Sequence, residues 1–377
     1  MQTLTQLLSD LVAIDSINPD LVPGAAGEAA VAHYVAEWLT AAGLEVTVQE
    51  AAPGRPNVVA VARGTGGGQT LMLNAHMDTV GVAGMEAPLT PRVEGNRLYG
   101  RGAYDMKGSL AACMLTAQRV KARRLRGDLI FTAVVDEEYA SIGTAAVAQE
   151  WSADAAIVTE PTGLNLCIAH RGFVWLDVET EGVAAHGSRP QLGVDAIAKM
   201  GQVLVGIEAL DRDLRAQPSH PLLHSGSLHA SLIAGGQELS SYPAQCKLGV
   251  ERRTIPGETP EIVTAQIQTI LDRAAAADPQ FKGQVRTTLV RNPFEISPDA
   301  PIVQLLQRQI RQQIGHEPRI YGDTPWMDTA ILAEAGIPAV IFGPTGAGAH
   351  AVVEWVDLES VAQCADILTA TAVAFCA

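Results

Sequence analysis

The sequence predicts an α/β fold in which a mixed, mostly parallel sheet flanked by helices is interrupted by an inserted α+β unit. Three observations predict it. Short apolar runs with the length of buried strands alternate with helical stretches up to about residue 160. The texture changes near Gly172 to strands with one exposed face, and beyond Arg291 to Pro298 the helix and strand alternation resumes. At 377 residues the chain also exceeds the roughly 250 to 300 residues at which one core stops growing, so two domains are expected.

Leu4, Leu7, Leu8, Leu11 and Val12 recur at helical spacing, and Glu28 to Ala42 reads as a second helix with Gly43 as its C′ residue. Leu44, Val46 and Val48 alternate with polar residues as in a strand. Val58 to Val61, Thr70 to Asn74, Leu129 to Val135 and Ala155 to Val158 read as buried strands, with a helix at Gly108 to Val120. Phe173 to Thr180 alternates as a half-exposed strand, followed by a helix near Val194 to Leu210 and a hinge at Gly235 and Gly236. These form an insertion over 172–290 that splits the first domain into 1–171 and 291–377. Pro301 to Ile314 and Ala339 to Phe342 complete that domain as helix and strand. No internal repeat is present, and Gly64 to Gly68 reads as a turn.

A 47% hydrophobic fraction is ample for real cores. The balance of 41 acidic to 26 basic residues gives a formal net charge of -15, which repels phosphate backbones and anionic membranes. Nucleic-acid and membrane-surface roles are therefore not expected. The opening MQTLTQLLSDLVAIDS lacks a basic start, and Asp10 interrupts its apolar stretch, so it does not read as a secretory signal. No segment reaches the roughly 18 uninterrupted apolar residues of a membrane span. Five scattered cysteines, at 113, 167, 246, 364 and 376, form no C-x-x-C pair and read as buried thiols of a reducing cytoplasm.

The chemistry gathers at strand ends. LMLNA leads into His76 and Asp78, LIFTAVV into Asp136, Glu137 and Glu138, and AAIVT into Glu160. The strand AVIFGP delivers His350 through a glycine-rich loop, and Asp105 opens the helix after GRGAYDMKG. In open α/β sheets such groups converge outside the carboxyl ends of the strands. Two imidazoles and three carboxylates without thiolates suit zinc, with cobalt or manganese as substitutes. Two divalent cations against three carboxylates and one hydroxide come to neutrality, so the charge balance agrees with two ions.

Each residue also has a plainer explanation. A lone strand-end histidine is more often structural than ligating, and adjacent acids usually make a solvated turn. Glu160 could cap a helix ahead of Pro161, and Asp105 could be a helix N-terminal charge worth about 0.3 to 1 kcal/mol. The constellation outweighs these. His220, His224 and His229 also show ligand-like spacings, but Pro218, Pro221 and Gly226 break any helix that would align them. His33 reads as structural.

With these residues in place, the chain resembles the M20 metallopeptidases, a group that holds deacetylases, desuccinylases, aminoacylases and carboxypeptidases. NAHMDTV resembles the family's H-x-D segment, GRGAYDMKG its bridging-aspartate segment and DEEYASIGT its Glu-Glu segment. TEPT and GAGAHAVVEWV resemble its last two ligand segments. The five motifs occur in the family's order and span nearly the whole chain.

The resemblance implies that His76 and Glu160 bind one Zn2+, that Glu138 and His350 bind a second, and that Asp105 bridges them. Asp78 would orient His76, fixing its tautomer. Glu137 would be the general base and acid. The insertion would be a lid and dimerisation domain making a homodimer, in which His186 of AAHGSRPQLGVDAI reaches the partner's site and stabilises an oxyanion. One such donor is normally worth about 2.7 to 4 kcal/mol. Arg253 of ERRTIPGET would clamp a substrate carboxylate, with a surface salt bridge as the plainer explanation. Where many relatives have asparagine after the hinge, GGQELSSYP places Ser240, and GPTGAGAH places Thr345 at the pocket rim.

The implied reaction is hydrolysis of the amide of an N-acyl-L-amino acid, with a metallo-exopeptidase acting on dipeptides as the nearest rival. A dinucleotide-dependent oxidoreductase fails the glycine test, because Gln69 and Asp105 stand where G-x-G-x-x-G needs its third glycine. A non-catalytic binding protein would have no need of Glu137 beside a full ligand set.

Overall fold

The structure is a computed structural model that describes residues 3–377. Its contacts separate two units. The first runs to Ile168 and resumes over Ile296–Tyr321 and Met327–Ala377; the second comprises Ala169–Glu295 and Gly322–Trp326.

In the first unit the strands stand in the order Glu45–Ala52, Arg55–Ala62, Leu129–Val134, Leu71–His76, Ala155–Val158, Ala339–Ile341 and Leu166–His170. The four strands from Leu129–Val134 to Ala339–Ile341 pair in parallel, whereas Glu45–Ala52, Arg55–Ala62 and Leu129–Val134 pair antiparallel on one side and Ala339–Ile341 meets Leu166–His170 antiparallel on the other. The sheet is therefore mixed. At one edge the reason is local, since the two-residue connection between Ala52 and Arg55 can only join antiparallel strands. Every residue of Leu71–His76, Leu129–Val134 and Ala155–Val158 is buried, which is why these segments read as continuous apolar runs.

Helices pack on this sheet, among them Ala29–Ala41, Gly108–Lys121 and Ile142–Glu150. Gly43 adopts φ 84 just past the first of these, and its N–H closes on the Thr40 carbonyl at 2.9 Å. On the edge strand Glu45–Ala52, Val48 is 58% exposed while Gln49 is buried. Gln49 Nε2 donates to the Ala146 carbonyl of Ile142–Glu150 at 3.1 Å, so a polar side chain takes the covered face. Leu358–Phe375 is long and apolar enough, by length and composition, to cross a membrane. In this fold it packs against Gly108–Lys121 and Pro301–Ile314 and buries Val361, Cys364, Ile367 and Leu368.

A small antiparallel sheet in the same unit joins Gly346–Ala347, Trp355–Asp357, Arg97–Tyr99 and Arg92–Glu94. It sets the loop carrying His350 beside the turn that follows Tyr99.

The second unit is an antiparallel sheet ordered Ser227–Gly235, Gln245–Thr254, Gly172–Glu181 and Lys282–Arg291. Helices Ala196–Ala216 and Pro260–Ala277 cover one face through Val174, Leu176, Val178, Leu248 and Val250. Gly322–Trp326, within the expected first-domain segment 291–377, belongs to this unit. The Trp326 ring meets Phe173 edge-on at 6.2 Å, and its Nε1 donates to the Asn292 carbonyl at 3.1 Å.

Candidate metal centre

Sheet register explains why distant segments meet. His76 stands opposite Val134 and Asn74 opposite Val158, all in parallel strands. The residues just past those partners, Asp136 to Glu138 and Thr159 to Glu160, therefore emerge beside His76 to Asp78. Ile341 stands opposite Val158 on the far side, which starts the Gly343 to His350 loop from the same sheet edge. Gly143 lets helix Ile142–Glu150 begin against this edge, because a Cβ there would lie 2.4 Å from the Val135 carbonyl oxygen.

His76 Nε2 lies 3.2 Å from Asp105 Oδ1 and 3.7 Å from Glu160 Oε1. His350 Nε2 lies 2.9 Å from Glu138 Oε2 and 3.4 Å from Asp105 Oδ2. Asp105 thus turns one oxygen toward each imidazole. Among the described residues, the groups able to hold a metal are His76, Glu137 and Glu160, and His76, Asp105 and Glu138. Neither includes His220, His224 or His229. His220 instead accepts the amides of Leu222 and Leu223 and faces Glu295, and His33 pairs with Glu37 on an exposed helix face.

Asp105 does not open the helix. It sits at φ -116, ψ 94 in the Ala103–Lys107 turn, and the regular helix begins at Gly108. The reason lies far away in sequence. Buried Glu354 accepts the amides of Tyr104 at 2.9 Å and Asp105 at 3.0 Å on one oxygen. Its other oxygen takes the Gly102 amide at 3.0 Å and Arg101 Nη1 at 2.6 Å. Glu354 follows His350 by four residues, so one carboxylate ties the His350 loop to the Asp105 turn.

Asp78 is a second tie. Its carboxylate accepts the amides of Glu137 and Glu138, each at 3.1 Å, and Asn18 Nδ2 at 2.8 Å. His76 Nδ1 sits 3.0 Å from the Asp78 carbonyl and 3.5 Å from Asp78 Oδ1. The main chain of Asp78 is therefore the nearer acceptor for the imidazole, with Nε2 left for the cluster. Sequence reasoning missed Glu354 and Asn18. The only signal was their presence inside the motif GAGAHAVVEWV and just after the first helix.

Crowded carboxylates set the electrostatics. Burial, then the charge of Glu160, pushes Glu137 well above the ordinary carboxylate range. Burial, then Asp105, raises Glu138 to about 7, and burial raises Glu160 as well. Burial acts to lower the pKa of His76, but Glu160, Asp105 and Asp78 outweigh it and raise it. His350 is raised to about 10 by Asp105 and Glu138. Asp328, which no sequence motif marks, is also buried here, and its charge adds to the load on Glu137 and Glu160.

The donor set fits divalent metal ions. Among the described residues, Glu138 Oε1 and Glu160 Oε1 are buried without any hydrogen-bond partner, an expensive arrangement for a carboxylate unless a cation faces it. Imidazole and carboxylate donors without thiolate match zinc, cobalt or manganese.

The remaining site candidates belong to the second unit. His186 is exposed, and its Nδ1 lies 2.8 Å from Ser188 Oγ. Ser240 is exposed, and its carbonyl accepts the Gly187 amide at 2.7 Å, beside the His186 and Ser241 bridge. Arg253 stands opposite Phe173, with its guanidinium 5.1 Å from that ring, and its Nε donates to Glu251 Oε1 at 2.6 Å. Among the described residues, the Nη edge of Arg253 carries no ion pair.

The sequence matches the Peptidase family M20/M25/M40 model over residues 72–374. It is 30% identical over 397 residues to an N-formyl-4-amino-5-aminomethyl-2-methylpyrimidine deformylase of Halalkalibacterium halodurans, covering 96% of this chain and 92% of that one. It is 30% identical over 398 residues to an acetylornithine deacetylase of Myxococcus xanthus, covering 100% and 98%. The fold is shared with a Bacillus subtilis dinuclear metal binding peptidase from the M20 family, at a TM-score of 0.77 and 16% identity over 99% and 97% of the two chains. Such a centre on such a fold defines a metal-dependent hydrolase acting on amide bonds. The chain belongs to the M20/M25/M40 peptidase family.

Proposed function

We propose that this hydrolase holds two Zn2+ ions, with Co2+ or Mn2+ as substitutes, and removes the acyl group of an N-acyl-L-amino acid to give a carboxylate and a free amino acid. The observation that carries the reading is Asp105, whose two oxygens face two imidazoles, each with a glutamate of its own. His76 and Glu160 would hold one ion, Glu138 and His350 the other, and Asp105 both. When bound, the ions supply Lewis acidity and a water of lowered pKa.

The chain's own residues supply the rest. Glu137, held in place through its amide by Asp78, takes a proton from the attacking water and returns it to the leaving amine. Arg253 receives the substrate carboxylate on its unpaired Nη edge, and Ser240 contributes a hydroxyl to polar substrate groups. His186 donates to the oxyanion from a partner subunit.

A homodimer through the second unit is supported by the edge strand Ser227–Gly235, where Leu232 is 76% and Ile233 56% exposed. Long apolar sheet edges ordinarily find a partner. Five buried cysteines, in no disulfide among the described residues, support a cytoplasmic location.

Two full-length relatives named for deacetylation and deformylation favour acyl removal. Metallo-exopeptidase activity on dipeptides is the alternative, because a dipeptide presents the same amide beside a carboxylate. The test is a panel of N-acetyl, N-formyl and N-succinyl amino acids and dipeptides offered to protein stripped of metal and reloaded with zinc or cobalt. Fastest turnover on an N-acyl amino acid supports the proposal; faster turnover on dipeptides favours the alternative, and no turnover on any member ends both.

A further inference from the structure

A buried polar chain runs away from the metal centre through Asp78. Asn18 is fully buried, and its Nδ2 donates one hydrogen to Asp78 Oδ2 at 2.8 Å and the other to Asp136 Oδ1 at 3.0 Å. That Asp136 oxygen also accepts Arg55 Nη2 at 3.1 Å. Arg55 grips fully buried Glu28 through Nε at 2.6 Å and Nη2 at 2.5 Å, and reaches Asp20 with Nη1 at 2.7 Å. Glu28 Oε1 in turn accepts the Asp136 amide at 3.2 Å.

The members are unusual for a core. Three buried carboxylates, Glu28, Asp78 and Asp136, share one guanidinium and one amide, and an unpaired buried charge is costly. Asp136 sits at φ 68, in the left-handed region that aspartate enters more readily than most non-glycine residues. It is followed directly by Glu137 and Glu138, whose amides the Asp78 carboxylate accepts. The chain thus fixes both ends of the segment that carries the general base and a ligand.

We propose that Asn18, backed by Arg55, is a positioning residue of the metal centre, acting through Asp78 and Asp136. By bridging the two carboxylates, Asn18 sets the rotation of the Asp78 carboxylate, and through it the Glu137–Glu138 main chain whose amides that carboxylate accepts. This rests on the metal-binding part of the function reading and not on the identity of the substrate.

The test is metal binding by chelator competition, with Zn2+ and Co2+ titrated into stripped protein and the Co2+ absorption spectrum recorded. Asn18→Ala is expected to weaken metal affinity by about 10- to 100-fold, the usual effect of removing such a partner, and to alter the Co2+ spectrum. Asn18→Ser keeps one donor and is expected to fall between, which preserves the test if the alanine variant fails to fold. The deciding step is a double-mutant cycle with Asp78→Ala. If Asn18 acts through Asp78, its substitution costs little more affinity once Asp78 is gone. An equal loss in both backgrounds, or wild-type affinity and spectrum in both single Asn18 variants, overturns the proposal. Wild-type protein that binds neither ion overturns the metal reading itself, a result distinct from either.

Discussion

In the first unit three of the five candidate ligands are set by something other than a metal, whereas in the second the candidate recognition residues are held lightly. Asp105 is fixed by its own amide on Glu354, Glu138 by its amide on Asp78, and His76 by the Asp78 carbonyl. His186 and Ser240 stand exposed, and Arg253 has Glu251 on one nitrogen only. The contrast follows from the chemistry each handles. Clustered negative charge is tolerable only in a prearranged cage that a cation completes, while a residue that must meet a varying substrate needs donors still free to bind it.

The contrast can be broken at its strongest point. Glu137→Ala is expected to lower kcat on the order of 10²- to 10⁴-fold with metal content unchanged by mass spectrometry. Near-normal turnover would show that Glu137 is not the proton carrier. The second unit gives the next largest effect. His186→Ala should cost roughly 10²- to 10³-fold in kcat, and mixing it with Glu137→Ala chains should restore activity as hybrid dimers form. Absence of rescue despite subunit exchange would confine the site to one chain.

Arg253→Ala should act on binding more than on turnover, raising KM about 10- to 100-fold for carboxylate-bearing substrates. An equal effect on an amide-capped substrate would mean that Arg253 only pairs with Glu251. Smallest is Glu354→Gln, which keeps one acceptor but cannot accept the Gly102 amide on nitrogen. It should weaken metal affinity about tenfold and lower stability by roughly 1 to 3 kcal/mol in denaturant unfolding. Unchanged metal affinity would reduce Glu354 to a fold-stabilising group.

Legibility in the sequence follows the same division. His76, Glu138 and Glu160 could be picked out because each closes an apolar run, a pattern contained within about ten residues. The conformation of Asp105 could not, because Glu354, which dictates it, lies 249 residues away. Asn18 left no periodic trace either, as its partners are 60 and 118 residues distant. The parallel centre of the sheet was legible from strand and helix alternation, but its antiparallel flanks were not, since edge pairing depends on connections and not on composition. Trp326 was left in the first domain for a related reason: ring contacts with Phe173 and His170, not a local pattern, put its segment in the second unit.

Metal stoichiometry tests the central claim most directly. Protein stripped with chelator and titrated with Zn2+ should saturate at two ions per chain, and Glu138→Ala at one, because His76, Glu160 and Asp105 still form a site. Wild-type protein that saturates at a single ion, or a Glu138→Ala variant that still takes two, would contradict the account.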